Sequence, residues 1–128
     1  MTTFTIVRPE HLNHHGYLFG GQLLKWVDEY AWLTAARDFP GHLLVTRAME
    51  SINFTTPVPS GSILRFDIRP EKQGVSSITY AVGVFSDEPG AREEKQVFST
   101  RITFACVDDR GGKRALPLVK TYRSMEQG

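Results

Sequence analysis

One change of period divides the chain at Gly41, and it leaves few folds open. Ahead of it, residues 20 to 38 carry the only helical repeat. Leu23, Leu24, Val27, Tyr30, Ala31 and Thr34 share one face, and Gln22, Lys25 and Glu29 lie opposite. Phe39-Pro40-Gly41 is a strong helix stop. Beyond it the repeat is two. His42 to Thr55 reads as a long strand stopped by Pro57-Val58-Pro59-Ser60-Gly61. Ser62 to Pro70, Val75 to Phe85 and Gln96 to Val107 follow, separated by Lys72-Gln73-Gly74 and by the polar loop Ser86 to Glu94. A short strand, Thr3 to Arg8, precedes the helix and ends at Pro9, and His11 to Gly16 reads as a polar loop. Consecutive strands with short connections are predicted to pair antiparallel. A lone helix must bury its stripe, and one curved sheet can wrap it. The expected class is α+β: a long central helix wrapped by a curved five-stranded antiparallel sheet.

With 128 residues the chain is expected to form a single domain, 1–128, whose tail from about Lys113 has no period and lies at the periphery. A net charge of +1 with no basic run longer than two residues argues against nucleic acid as a partner. No apolar run approaches the roughly 18–20 residues of a membrane span. The first residues show no basic head before an apolar stretch, so no signal peptide is expected. The single Cys106 cannot form an internal disulfide, which fits a reducing, cytoplasmic setting. Cys106 reads as a small core residue of the last strand.

Chemistry concentrates between Asn13 and Asp28. The pair Gly20-Gly21 opens the helix, leaving bare N–H groups at the positive end of its dipole. Asp28 lies two turns inside, at the border of the apolar stripe, while Glu29 points roughly 100° away. A terminus that stabilises an anion and a placed carboxylate together suggest hydrolysis. Alone, each has a plainer explanation: a helix-start turn, a solvated acid paired with Lys25, and for Asn13 a local turn. His11, His14 and His15 lack a second ligand cluster, so no metal is expected.

The ordered set of motifs resembles the hotdog-fold acyl-CoA thioesterases, in the branch with an Asn…Asp active site. It comprises Asn13-x-x-Gly16, Phe19-Gly20-Gly21, Leu23-Leu24, Asp28, Val45-Thr46, Asn53-Phe54, Gly74-x-Ser76-Ser77, Val107-Asp108 and Gly112-Lys113. The likeness spans nearly the whole chain. It implies hydrolysis of acyl-CoA to free acid and CoA, with no cofactor. Gly20 and Gly21 would supply oxyanion donors, Asn13 would orient water or thioester, and Asp28 would act as general base or as nucleophile. Thr46 matches a position near the site, and Ser76 and Ser77 a strand start near the pantetheine arm. Arg47, Arg101, Lys113 and Arg114 are the cations available to CoA phosphates. Relatives often carry small residues just after the acid, whereas this chain has Trp32. With Tyr17 or Trp26 it is expected to narrow the acyl pocket towards short or branched groups.

Eight helical residues separate Gly20 from Asp28, roughly 12 Å at 1.5 Å per residue. One carbonyl cannot reach both on the same helix. If both act, they come from two chains with antiparallel helices side by side, so a homodimer with shared sites is expected, and tetramers or hexamers built from it remain open. Two other functions fit the same residues: a non-catalytic acyl-CoA sensor, and a hydratase or dehydratase using His14 or His15 with the acid.

Overall fold

The computed structural model describes residues 1–119. Five strands, β1 (Thr2–Ile6), β2 (Leu43–Phe54), β3 (Ile63–Gln73), β4 (Ser77–Asp87) and β5 (Lys95–Val107), and one helix, α1 (Gly20–Asp38), follow the expected order. All ladders are antiparallel and form a single sheet in the order β1-β3-β4-β5-β2. The helix lies against one face of this sheet, which is the hotdog arrangement.

Two details differ from the sequence expectation. β3 runs on through Gln73, so the turn falls at Gly74 to Ser76. More consequentially, β2 does not pair with β3 although a short segment joins them; it crosses to the far edge and pairs with β5. The reason lies in the joining segment. Pro57 and Pro59 withhold ladder N–H groups. The segment is instead tied outward, by Thr55 N–H to Val97 O (2.9 Å), Leu18 N–H to Val58 O (2.8 Å) and Gly61 N–H to Val7 O (2.8 Å). Val58 is buried, so the crossover is packed against the body of the protein near the start of α1.

The core is filled by Leu64, Phe66 and Ile68 of β3, Ile78, Tyr80, Val82 and Val84 of β4, and Phe98, Ile102, Phe104 and Cys106 of β5. They are the alternate, helix-facing positions. Against them α1 buries Leu23, Trp26, Val27, Ala31, Thr34 and Ala35, with Leu24 and Tyr30 only partly covered. Trp26 therefore belongs to the packed face and not to an acyl pocket. Its ring meets His11 edge-on at 4.7 Å and Phe66 at 6.5 Å. His11 sits in a 3-10 turn, Pro9–His11, within the expected polar loop, and its Nδ1 accepts the Arg8 N–H at 3.0 Å.

Residues 114–118 lie on the surface and are tethered there, and residues 120–128 of the expected peripheral tail lie outside the described residues. Arg114 N–H donates to Cys106 O and Leu116 N–H to Val75 O, while the Gln73 side chain donates to Pro117 O and accepts from Val119 N–H. Val119 is buried.

β2 is an edge strand and an irregular one. Its pairing with β5 slips after Thr46 and again after Glu50, where Ser51 holds a left-handed φ of 54°. Such bulges re-aim a strand locally. Leu43, Val45, Ile52 and Phe54 of this strand are exposed.

Candidate active site

The loop leading to the helix is built on Asn13. Its Oδ1 accepts the backbone N–H groups of His15 (2.9 Å) and Tyr17 (3.2 Å). Its own N–H donates to Tyr17 O and its carbonyl accepts from Gly16 N–H. Gly16 supplies the positive φ of 85° that the reversal needs. The local-turn reading and the site reading of Asn13 thus hold together. With the carbonyl end spent on the turn, the side-chain NH₂ is the end left to donate.

Phe19 is the N-cap residue of α1 and makes no side-chain cap, and no acid sits in the first turn. Phe19 O accepts from Gln22 and Leu23. The N–H groups of Gly20 and Gly21 find no partner among the described residues, as the first helical positions do when nothing caps them. A cavity of about 620 Å³ opens here, lined by Asn13, His15, Tyr17, Gly20 and, from the crossover, Thr56 and Val58. Leu18, Leu23, Phe54 and Val97 make much of its wall apolar. The chain therefore brings together an amide NH₂, a bare helix terminus and an apolar pocket, which suits an acyl group whose carbonyl is met by donors. Phe54 was legible only as part of a motif. The structure sets its ring beside Gly20, where a Cβ would meet it at 3.5 Å, and against Phe98 at 4.9 Å.

Asp28 lies elsewhere. It is half-buried on the side of α1 that faces β2, and it does not line this cavity. Thr46 donates its hydroxyl to Asp28 Oδ1 at 2.7 Å. One turn further on, Trp32 Nε1 donates to Leu44 O at 3.0 Å. The structure thus joins Asn13 with Gly20, and Asp28 with Thr46, without joining the two pairs.

The remaining candidates divide. Arg47, Ser77 and Arg101 line a groove of about 600 Å³ on the sheet, together with Lys72, which the sequence reading missed because it had been placed in a turn. Arg101 is engaged there by Glu71, Nε to Oε2 2.9 Å. Lys113 and Arg114 lie outside the groove. Lys113 bridges to Val107, and the Arg114 guanidinium reaches Gly41 O at 3.4 Å. Ser76 serves through its backbone, accepting from Cys106 N–H. His14 and His15 stack on each other at 3.9 Å and are exposed.

A lone helix on a curved antiparallel sheet, with an apolar cavity at the helix start and an acid held two turns on, defines a protein of the hotdog class. The family model described as Thioesterase superfamily matches residues 15–92. The chain belongs to that superfamily. An uncharacterized acyl-CoA thioester hydrolase of Haemophilus influenzae is 30% identical over 116 residues, covering 88% of this chain and 75% of the relative. Among solved structures, an acyl-CoA hydrolase of Staphylococcus aureus in complex with butyryl coenzyme A, coenzyme A and coenzyme A disulfide superposes with a TM-score of 0.82. The identity is 29%, over 91% of this chain and 71% of that one. Ala variants of that hydrolase at an Asn, an Asp and a Thr have also been solved. A hexameric broad-specificity acyl-coenzyme A thioesterase gives a TM-score of 0.81 at 28% identity, over 98% and 85% of the two chains. Of other curated relatives the chain spans less than two thirds: 65% of the uncharacterized acyl-CoA thioester hydrolase YkhA of Bacillus subtilis and 16% of mouse acyl-coenzyme A thioesterase 11.

Proposed function

We propose that the protein is an acyl-CoA thioesterase whose active site is completed by two copies of the chain. The observation that carries this reading is the split of the machinery along α1. Asn13 and Gly20 open onto one cavity, while Asp28, held by Thr46, faces β2 instead. In a dimer with antiparallel helices, the Asp28 of one copy meets the thioester held by the other. The free edge of β2, with Leu43, Val45, Ile52 and Phe54 exposed along it, is the surface such a partner would cover. Assembly into a hexamer is the further step that the hexameric neighbour suggests.

In this reading Gly20 and Gly21 N–H groups stabilise the charge that develops on the thioester oxygen, and the Asn13 NH₂ orients the thioester or the attacking water. Asp28 takes a proton from that water as the water oxygen attacks the carbonyl carbon; the C–S bond breaks and CoA leaves as the thiolate that receives the proton. Alternatively the carboxylate attacks the carbonyl itself, expelling the CoA thiolate to give an anhydride that water opens. The pantetheine arm and phosphates of CoA run towards the groove that holds Arg47, Lys72, Ser77 and Arg101. Tyr17 and the partner's helix, through Trp32, limit the acyl group. The single, buried Cys106 fits a cytoplasmic protein. The presence of an Asn, an Asp and a Thr among the variants of the Staphylococcus aureus hydrolase supports the choice of Asn13, Asp28 and Thr46.

The test is thiol release from a panel of acyl-CoAs, comparing wild type with Asp28→Asn. Hydrolysis by the wild type and its loss in the variant are expected. Undiminished turnover in Asp28→Asn would reject the assignment. Binding of CoA esters with no thiol released would make the protein a sensor.

A further inference from the structure

The helix is held to β2 by two side-chain bonds among the described residues, and one of them is absent from every role above. Asp28 accepts from Thr46, and Trp32 donates to Leu44 O. Positions 28 and 32 are four apart on a helix, about 6 Å along its axis. Positions 46 and 44 are two apart on a strand, about 6.8 Å. The two spacings match, and the order runs antiparallel, so the bonds form two rungs between the same two elements. Neither rung can be kept while the helix slides or turns against β2 without breaking the other.

The carbonyl that Trp32 uses is one the sheet leaves open. Leu44 lies opposite Cys106, but Cys106 gives its N–H to Ser76 O (2.8 Å) and its carbonyl to Arg114 N–H (3.0 Å). Leu44 and Cys106 thus face each other without exchanging bonds, and the polar backbone groups of Leu44 face the free edge. On the other side of the rungs β2 loses its register, the ladder slipping immediately after Thr46. The Leu44 side chain is buried, and β2 keeps its register with β5 from Leu43 through Thr46. Trp32 is 41% exposed, so its packing alone does not hold this side of the helix.

We propose that Trp32 is a positioning residue. By locking its indole N–H to Leu44 O, it fixes the register of α1 on β2 and so keeps the Asp28 carboxylate in reach of the Thr46 hydroxyl. This role rests on the reading of Asp28 as the catalytic acid. It differs from that of an acyl-pocket wall, because it belongs to the N–H and not to the ring.

Trp32→Phe separates the two, since it keeps an aromatic ring and deletes the donor. Loss of one such hydrogen bond should lower kcat about three- to tenfold for every acyl chain length, whatever the smaller ring does to their order of preference. In a Thr46→Val background the same substitution should cost less than half that factor, because the second rung is then already gone. Three results would overturn the proposal: an unchanged kcat, equal factors in the two backgrounds, or a shift in chain-length preference with kcat kept for the best substrate. An arm that needs no variant is the exchange of the indole proton in the wild-type dimer. Slowed exchange is expected, and exchange at the rate of a free indole would contradict the bond. If Trp32→Phe is silent while Asp28→Asn is inactive, this inference alone falls. If Asp28→Asn retains turnover, the reading of the site falls first.

Discussion

Gly20→Ala sets stability against activity in one residue. Gly20 has no positive φ, and a Cβ there would meet only the Phe54 ring, at 3.5 and 3.6 Å, which is ordinary van der Waals contact. Nothing in the fold needs a glycine at this position. Alanine should therefore stabilise the first turn by up to about 0.5–1 kcal/mol through the entropy that glycine loses on folding. For a chain of this size that raises Tm by about 2–5 °C. The same methyl stands beside the N–H group assigned to the thioester oxygen. A carbonyl held about 1 Å away from its donors loses on the order of 10²-fold in rate, so a drop of about 10–100-fold in kcat/KM is expected. Thermal unfolding of the purified protein and steady-state thiol release measure the two effects side by side. A variant that is both more stable and fully active would refute the idea that glycine is there to let the substrate approach the backbone. A variant that unfolds would refute the geometric reading of the site.

The bond from Thr46 to Asp28 is charge-assisted but lies at an exposed position, so Thr46→Val should lower kcat about tenfold rather than abolish it; Thr46→Ser, which keeps the hydroxyl, should restore most of it in the same assay. Arg65 anchors the β4–β5 loop by donating its Nε to both oxygens of Glu94 at 3.2 Å, and its hydrogen bond holds the Glu94 carboxyl below the usual carboxylate range. A carboxyl lowered on folding contributes its stabilisation above its unfolded pKa and loses it as pH falls through the folded value. The loop should accordingly loosen only on acidification, below the usual carboxylate range. Amide exchange across residues 88 to 95 should show this, and Arg65→Gln, which has no guanidinium to hold the carboxylate, should leave the loop equally loose at neutral and acid pH; identical profiles for the two proteins would count against the tie.

Much of this was legible in the residues themselves. The bounds of α1 match the sequence reading, because a Gly pair and Phe39-Pro40-Gly41 are strong local punctuation. The class of the sheet followed from period two after Gly41. The strand order did not, since which edge β2 joins depends on where Val58 can be buried and on what the Pro57 and Pro59 backbone can pair with. Trp26 was misread for a similar reason. It lies at the margin of the helical stripe, and only His11 and Phe66, distant in sequence, draw it into the core. At the site, Asn13, Gly20 and Asp28 stood out by motif and spacing. Lys72 did not, because the added length of β3 moved it from a turn onto the sheet, beside Arg101. The partner of Trp32 was also hidden, being a main-chain carbonyl that no side-chain pattern announces.

The central claim is that α1 carries two half-sites for two different substrates. A mixed dimer of Asn13→Ala and Asp28→Asn chains tests it most directly. One of its two sites combines Asn13 and Asp28 from the intact faces of different chains, and the other has neither. The mixed dimer should recover about half of the wild-type turnover per dimer, while each homodimer stays inactive. If the mixture is as dead as its parents, with mixed dimers verified by mass, each site is built within one chain and the account is wrong.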